Sequence, residues 1–377
     1  MSYLTDVCSI QYGYPFDSAL FNNKDGTPLV RIRDVIPGFS NTYTTEKCDE
    51  CYYVEKDDML IGMDGEFNIA YWKGGHAYLN QRVCKIIPKE GVHKRYLFYQ
   101  LMPILKRIEN RTAFVTVKHL SAKELNKIEF SLPDLPTQQR IADTLDKVSE
   151  GIEVCRRMLD ELELMVKAKF GEMFGDMLLN SKHWSECTLE SLADIVSGIT
   201  KGRKTKDENL IEVPYMAVSN VKDGHIDWRT VKTIMATTQE INQYRLQSDD
   251  VLMTEGGDPD KVGRGAIIKN PPENCIHQNH IFRVRLNEKV ILPTFFAEYL
   301  QHQKAKRYFL GCAKQTTGIA SINMRQLKAM PVLLPPIELQ EQFATFVSKI
   351  DKSKLTIQQV LSKMEMVKLA LMQEYFG

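Results

Sequence analysis

Residues 198–206 read GITKGRKTK and set Lys201, Arg203, Lys204 and Lys206 among glycines that would let a backbone approach a phosphate. Residues 256–265, GGDPDKVGRG, add Lys261 and Arg264 on a stretch whose glycines suit a projecting loop. Residues 313–321, AKQTTGIAS, crowd Lys314, Gln315, Thr316 and Thr317 together. In the first half of the chain the corresponding places are 62–75 (GMDGEFNIAYWKGG) and 110–120 (NRTAFVTVKHL). They offer Asn68, Lys73, Arg111, Thr112, Lys118 and His119. Such sets can do two things: cations neutralise phosphates, and forked donors meet base edges. The plainer alternative for any one residue is a solvated loop side chain, so the expectation rests on the loops as groups. Tyr71 and Trp72 have rings that could stack on a base, but packing in a core is their expected use.

Other stretches mimic catalytic or metal chemistry and fail on a particular residue. Asn270–Pro271–Pro272–Glu273 begins like an adenine-N6 methyltransferase core, whose fourth residue must stack on an extruded base. Glu273 cannot stack, and no glycine-rich cofactor loop follows a strand upstream, so a turn is expected there. A phosphate-binding G-x-x-x-x-G-K-[ST] loop starting at Gly198 needs glycine where Arg203 stands. Cys48 and Cys51 form a lone CxxC, and a structural zinc takes four ligands in recognisable pairs. Cys84, His76 or His93 would complete such a set only through the fold, so no metal is expected. His277 and His280 have ligand spacing but sit on a strand-like run without a partner. No Ser–His–Asp arrangement and no acidic nuclease cluster stands out, and no catalytic residue is assigned.

The elements that must position these loops are set by a stretch that occurs twice. Residues 132–175 read LPDLPTQQRIADTLDKVSEGIEVCRRMLDELELMVKAKFGEMFG. Residues 334–377, offset by 202, read LPPIELQEQFATFVSKIDKSKLTIQQVLSKMEMVKLALMQEYFG without a gap. In the first copy Ile141, Leu145, Val148, Ile152, Cys155, Leu159, Leu162 and Val166 alternate in steps of four and three. That is the seam of a coiled coil. Pro136–Thr137 suits a helix start, and a helix from about Thr137 to Phe174 is roughly 55 Å long at 1.5 Å per residue. Gly151 weakens it locally. The second seam holds Phe343, Val347, Ile350, Ile357, Leu361, Met364 and Leu371, with Lys354 and Lys368 where the first has Ile152 and Val166. Those lysines either snorkel beside a solvated seam or fix its register.

Each copy follows a β-rich block. Short apolar runs at 27–35, 52–62, 67–72 and 82–88 precede a helical run from Lys94 to Asn110, interrupted near Pro103. The second block echoes this. PLVRIRDV (28–35) is matched by PYMAVSNV (214–221), EKDDMLIGMDG (55–65) by QSDDVLMTEGG (247–257), and LNQRVCKI (79–86) by HQNHIFRV (277–284). The helical run returns as Thr294–Leu310. The expected domains are 1–131, 132–175, 176–331 and 332–377: block, helix, block, helix. The repeat predicts a mixed α/β (α+β) fold with a pseudo-two-fold axis and the two long helices antiparallel. Residue 377 should then end near Met1.

Composition fits two or three globular domains: 43% hydrophobic and 26% charged over 377 residues, with no run long enough to span a membrane. The opening MSYLTDVCSIQYGYPF lacks the basic and apolar regions of a secretory signal. Eight scattered cysteines favour reduced thiols over a disulfide framework, and with these features a cytoplasmic location is expected. A net charge of +1 argues against coating nucleic acid without regard to sequence, while leaving room for local basic patches.

The LP…Q…A…L seam at 132–145, its copy at 334–347, the EMFG and EYFG ends, and the paired DDML/DDVL and NQRV/QNHI segments together resemble the specificity subunits of type I restriction–modification systems. The resemblance covers the whole chain. It implies two target-recognition domains joined by an antiparallel coiled coil, and a non-catalytic role. The chain would read a bipartite, asymmetric double-stranded DNA site and hold methyltransferase subunits on it, two per chain, and restriction subunits where present. Adenine methylation would fall to the partner, using S-adenosylmethionine that this chain does not bind. Half-sites read from one face of B-DNA lie roughly 34 Å apart, within the reach of such a helix pair. Two other readings stay open at this point. One is a methyltransferase or nuclease with drifted motifs, for which residues 270–273 are the sole support. The other is a coiled-coil adaptor with no DNA role, against which the basic loops argue.

Overall fold

The computed structural model describes residues 2–111, 118–203, 209–258, 262–316 and 319–377, with the backbone alone at 314–316 and 319. The chain divides into two compact units, 1–156 together with 359–377, and 157–358. Each unit holds one β-rich block and a part of both long helices.

In the first block, strands β1 (Cys8–Tyr12), β2 (Met59–Gly62), β3 (Ile69–Tyr71) and β4 (Val83–Pro88) form an antiparallel sheet in the order β1-β4-β2-β3. Helix α1 (Lys94–Arg111) follows, then the 40-residue α2 (Leu135–Phe174). In the second block, β5 (Ala193–Ser197), β6 (Val251–Thr254), β7 (Gly265–Ile267) and β8 (Ile281–Leu286) repeat that order as β5-β8-β6-β7. Helices α3 (Pro293–Gln301) and α4 (Gln303–Cys312) follow, then the 40-residue α5 (Ile337–Phe376). Each block also pairs two strands in parallel, Leu29 opposite Tyr78 and Tyr215 opposite Ile276.

Local chemistry explains why the blocks echo each other. The paired aspartates make one turn twice. Asp57 and Asp249 take left-handed backbone (φ 68° and 73°), which short polar side chains tolerate. Asp58 and Asp250 then accept the N–H three residues back, at 2.8 and 2.7 Å. Each turn launches a fully buried strand, β2 or β6. Leu97, Leu101 and Leu105 recur every fourth residue of α1 and close the first core on Met59, Ile61, Cys84 and Ile86. Phe295, Phe296 and Tyr299 of α3 do the same on Val251, Met253, Phe282 and Val284. The expected interruption at Pro103 does not occur. Helix α1 runs through it, because the buried leucines on either side hold both halves to the sheet. The break falls in the second block, where His302 is extended (φ −76°, ψ 153°) between α3 and α4.

The long helices are fastened to their blocks by one glutamine each. Gln138 is 1% exposed. Its amide donates to Pro133 O (2.8 Å) and Gly91 O (3.3 Å) and accepts from His93 N (2.8 Å). Gln340 is 0% exposed and repeats the set with Pro335 O (2.9 Å), Val290 O (3.2 Å) and Leu292 N (2.9 Å).

In the first copy of the seam Ile141, Leu145, Ile152, Cys155 and Val166 are buried and Val148, Leu159 and Leu162 half-buried; in the second Phe343 and Ile350 are buried and Val347, Ile357, Leu361, Met364 and Leu371 half-buried. In the first unit Ile141 and Leu145 share a cluster with Leu371, Met372, Tyr375 and Phe376, while Arg156 bonds Glu365 at 2.9 Å. Rising numbers on α2 meet falling numbers on α5, so the helices are antiparallel. Phe376 lies 5.5 Å from the Tyr96 ring, so α5 ends on the first block; Met1 lies outside the described residues. In the second unit Phe170 and Phe174 pack on Phe343, both at 5.4 Å, and Glu163 faces Lys354 at 3.6 Å, again antiparallel. The two seam lysines differ. Lys354 pairs with a carboxylate, whereas Lys368 sits 5.7 Å over the Tyr99 ring, where burial and nearby Arg156 lower its ammonium below the usual lysine range.

Removing the Gln340 amide leaves three backbone groups, that of Pro335 buried and those of Val290 and Leu292 half-buried, without their partner. Gln340→Ala should cost roughly 1–3 kcal/mol in urea unfolding; an unchanged midpoint would refute the fastening. A second expectation concerns pH. Burial lowers the His277 imidazole from 6.5 to about 4, against the opposite pull of the Val196 and Tyr244 carbonyls at its two ring nitrogens. The unfolded chain therefore takes up this proton first. The stability His277 contributes is full above pH 6.5 and is lost as pH falls towards 4, in total about 3 kcal/mol. His277→Gln should flatten that slope in unfolding measured from pH 4 to 7.

Candidate nucleic-acid interface

Each sheet has one corner where three separate segments meet, and the backbone builds it the same way in both blocks. Tyr14 N bonds Leu79 O (2.8 Å) and Gln81 N bonds Tyr14 O (3.0 Å); Ile199 N bonds His277 O (2.9 Å) and Asn279 N bonds Ile199 O (3.0 Å). The crossing is so close that only glycine fits beside it. A Cβ on Gly13 would stand 2.1 Å from Asn80 O, and one on Gly198 2.0 Å from His277 O. Gly198 thus serves the approach of two protein strands, rather than room for a phosphate. Gly263 is likewise filled, by the Phe309 ring 2.2 Å from any Cβ, whereas a Cβ on Gly202 (φ +76°) would meet no atom of the described residues within 4 Å.

The expected contact residues divide by what holds them. Lys201 is exposed beside Gly202. Arg203 grips Glu240 with two nitrogens and also bonds Met235 O at 3.1 Å; the Glu240 hydrogen bonds raise its guanidinium further above the usual range. Arg264 is half-buried beside β7, and its backbone carbonyl accepts from Thr254 N at 3.0 Å. Lys314, Gln315 and Thr316 lie on a strand paired with Ile319–Ser321. Thr112, Lys204, Lys206, Lys261 and Thr317 lie outside the described residues.

In the first block, Asn68 bonds Glu66 at 3.1 Å in the β2–β3 turn. The exposed Lys73 lays its side chain along Gly38. Arg111 is exposed at the end of α1. Lys118 faces Glu109 at 3.5 Å, a carboxylate kept ionised by the Lys106 hydrogen bond first and by the Phe67 N–H after burial's opposing pull. His119 bonds Asp64 at 2.5 Å. Trp72 is core at 2% exposure, and Tyr71 carries the Arg95 guanidinium on its ring at 4.9 Å.

Two further side chains stand at the corners, outside the loops named above. Arg82 bonds Asp64 at 3.1 Å, and His280 bonds Glu255 at 2.6 Å. They occupy matching places in the NQRV and QNHI echo, which is the signal in the sequence by which they could be found. Among the described residues no three His, Cys, Asp or Glu side chains come together as a metal site, and all eight cysteines are unpaired. Residues 270–273 form part of a turn with left-handed Asn270 and Asn274 (φ 46° and 56°), closed by Cys275 N to Pro272 O at 3.1 Å. Among the described residues no helix is long and apolar enough to cross a membrane.

Comparison with known proteins agrees with this layout. The family model of the type I restriction modification DNA specificity domain matches residues 1–164 and again residues 181–365. The chain is 29% identical to the type I restriction enzyme EcoBI specificity subunit of Escherichia coli, over 92% of this chain and 78% of that one. It is 21% identical to the EcoKI specificity subunit of Escherichia coli strain K12, over 86% and 75%. Its fold resembles that of the crystallised type I restriction–modification S subunit from M. genitalium, with 15% identity and a TM-score of 0.59 across 100% of this chain and 95% of that one. Two matched blocks, each led into a long helix by a buried glutamine, carry the family's domain twice, and this chain belongs to the type I restriction–modification DNA specificity family.

Proposed function

We propose that the chain reads a bipartite, asymmetric double-stranded DNA site and positions methyltransferase subunits on it without doing chemistry itself. One observation carries this reading: the two blocks share a sheet order and corner hydrogen bonds but differ in the side chains and loops that these display. A shared backbone bearing unlike side chains is what two readers of unlike half-sites need. The loops at 62–75, 110–120, 198–206, 256–265 and 313–321 supply cations for phosphates and amides for bases. The long helices expose large apolar side chains away from the seam, Leu164 at 63% and Leu369 at 72%, one in each unit. That supports two methyltransferase subunits per chain, each covering one such face, with restriction subunits joining where they exist. The partner methyltransferase would supply adenine methylation with S-adenosylmethionine. A cytoplasmic complex meeting the cell's own DNA follows from this role.

Methylation mapped in cells that carry the chain with its methyltransferase should show a split motif. Exchanging residues 1–131 for another family member's block should change one half of that motif and leave the other intact. If both halves stay unchanged, block one is not a reader. Lys201→Ala should weaken binding of the assembled complex to all sequences alike and lower the salt slope of binding by about 1, as loss of one phosphate contact does.

A further inference from the structure

The corner described above has an asymmetry of side chains on a symmetric backbone. Met63 N bonds Arg82 O at 2.9 Å, and Glu255 N bonds His280 O at 3.0 Å. Leu120 N bonds Met63 O at 2.7 Å, and Ile322 N bonds Glu255 O at 2.8 Å. Arg82 and His280 thus stand at one position of a common frame. Both point out from the frame, with side chains 52% and 55% exposed. Both are held by a carboxylate, yet not the same one. Asp64 leaves the strand one residue later than the position Glu255 takes in its block. Asp64 is 19% exposed and lies between Arg82 Nη1 (3.1 Å) and His119 Nδ1 (2.5 Å). Glu255 holds His280 Nδ1 at 2.6 Å, while Asn279 Nδ2 reaches His280 Nε2 at 3.3 Å. In the second block the pair lines an open cleft of about 340 Å³ with Val218, Gly256 and Ser321.

We propose, resting on the reading of the chain as a DNA specificity subunit, that Arg82 and His280 are base-reading residues, one for each half-site, with Asp64 and Glu255 as their positioning residues. An exposed polar pair contributes little stability, so fold alone gives no reason to hold an exposed side chain with a carboxylate from a different position in each block. Pre-orientation does give one. A guanidinium anchored at Nη1 presents its remaining donors in a fixed fork, and such a fork meets guanine O6 and N7 at two points. An imidazole anchored at Nδ1 keeps only Nε2 for a base edge, where one acceptor or donor on the base would take the place of Asn279 Nδ2. The two corners therefore read different chemistry, and the first favours a G·C pair.

The test uses the full chain assembled with its methyltransferase, mapping methylation genome-wide and measuring binding to duplexes that differ at single positions. Arg82→Ala should reduce discrimination at one base pair of one half-motif about 10- to 100-fold, with the other half unchanged. His280→Ala should do so in the opposite half only. Arg82→Lys, which keeps the charge and loses the fork, should behave like Arg82→Ala. Wild-type discrimination in the variants, rescue by lysine, or a uniform loss across all sequences with a shallower salt slope overturns the assignment and makes these residues scaffold or phosphate contacts. Should Arg82→Ala fail to fold, the lysine variant and His280→Ala still decide. If block exchange re-specifies the motif while these substitutions leave it alone, this inference falls by itself. If the wild-type complex makes no split motif, the functional reading falls with it.

Discussion

The arrangement depends on a carboxamide that satisfies three backbone groups at once. Gln138 and Gln340 lie one turn inside their helices and tie the leucine–proline lead-in to the turn before α1 or α3. A buried amide with every partner in place is stiff, because any rotation strands a donor or an acceptor away from water. The direction in which each long helix leaves its block is therefore set by hydrogen bonds rather than by apolar packing alone, which is less directional. Around this point the aromatic residues add mass. Phe170, Phe174, Phe295 and Phe343 close one unit, and Tyr96, Tyr99 and Phe376 the other.

A second principle governs the blocks. Their frames use groups that every residue but proline carries, backbone N–H and C=O, at positions where glycine permits close crossing. Side chains at the frame's edge are then at liberty to change without moving it. The pair Arg82–Asp64 in one block and His280–Glu255 in the other shows the result: two unlike side chains, two different carboxylate positions, one set of backbone bonds.

Much of this was legible in the residues, for reasons that can be named. The seam was readable because helical burial repeats every three or four residues, and Ile141 through Val166 obey that period. The aspartate turn was readable as an echo because both halves need the same left-handed residue. Long-range partners were not. Nothing near Arg203 in the chain announces Glu240, 37 residues on, and nothing near Gly198 announces the strand that crosses it. Pro103 misled for a related reason. The cost of an imperfect helix turn is local, but the buried leucines that outweigh it act through the sheet. Arg82 and His280 were not legible as contacts because they sit in short turns just before β4 and β8, away from the glycine-flanked loops where projecting polar groups are usually sought.

The fastening of α5 to the first block has a bearing on synthesis. Leu371, Met372, Tyr375 and Phe376 cover Tyr96, Tyr99, Ile141 and Leu145, and they are translated after the whole of 157–358. At about 5–20 residues per second the ribosome spends some tens of seconds or less on that intervening stretch. Throughout it the first block has its sheet and α1 but lacks the strip that covers these apolar side chains. The second unit, contiguous in sequence, can close on itself before the first is complete. The nascent chain thus matures out of numerical order, and a chaperone would find its target on the block made first.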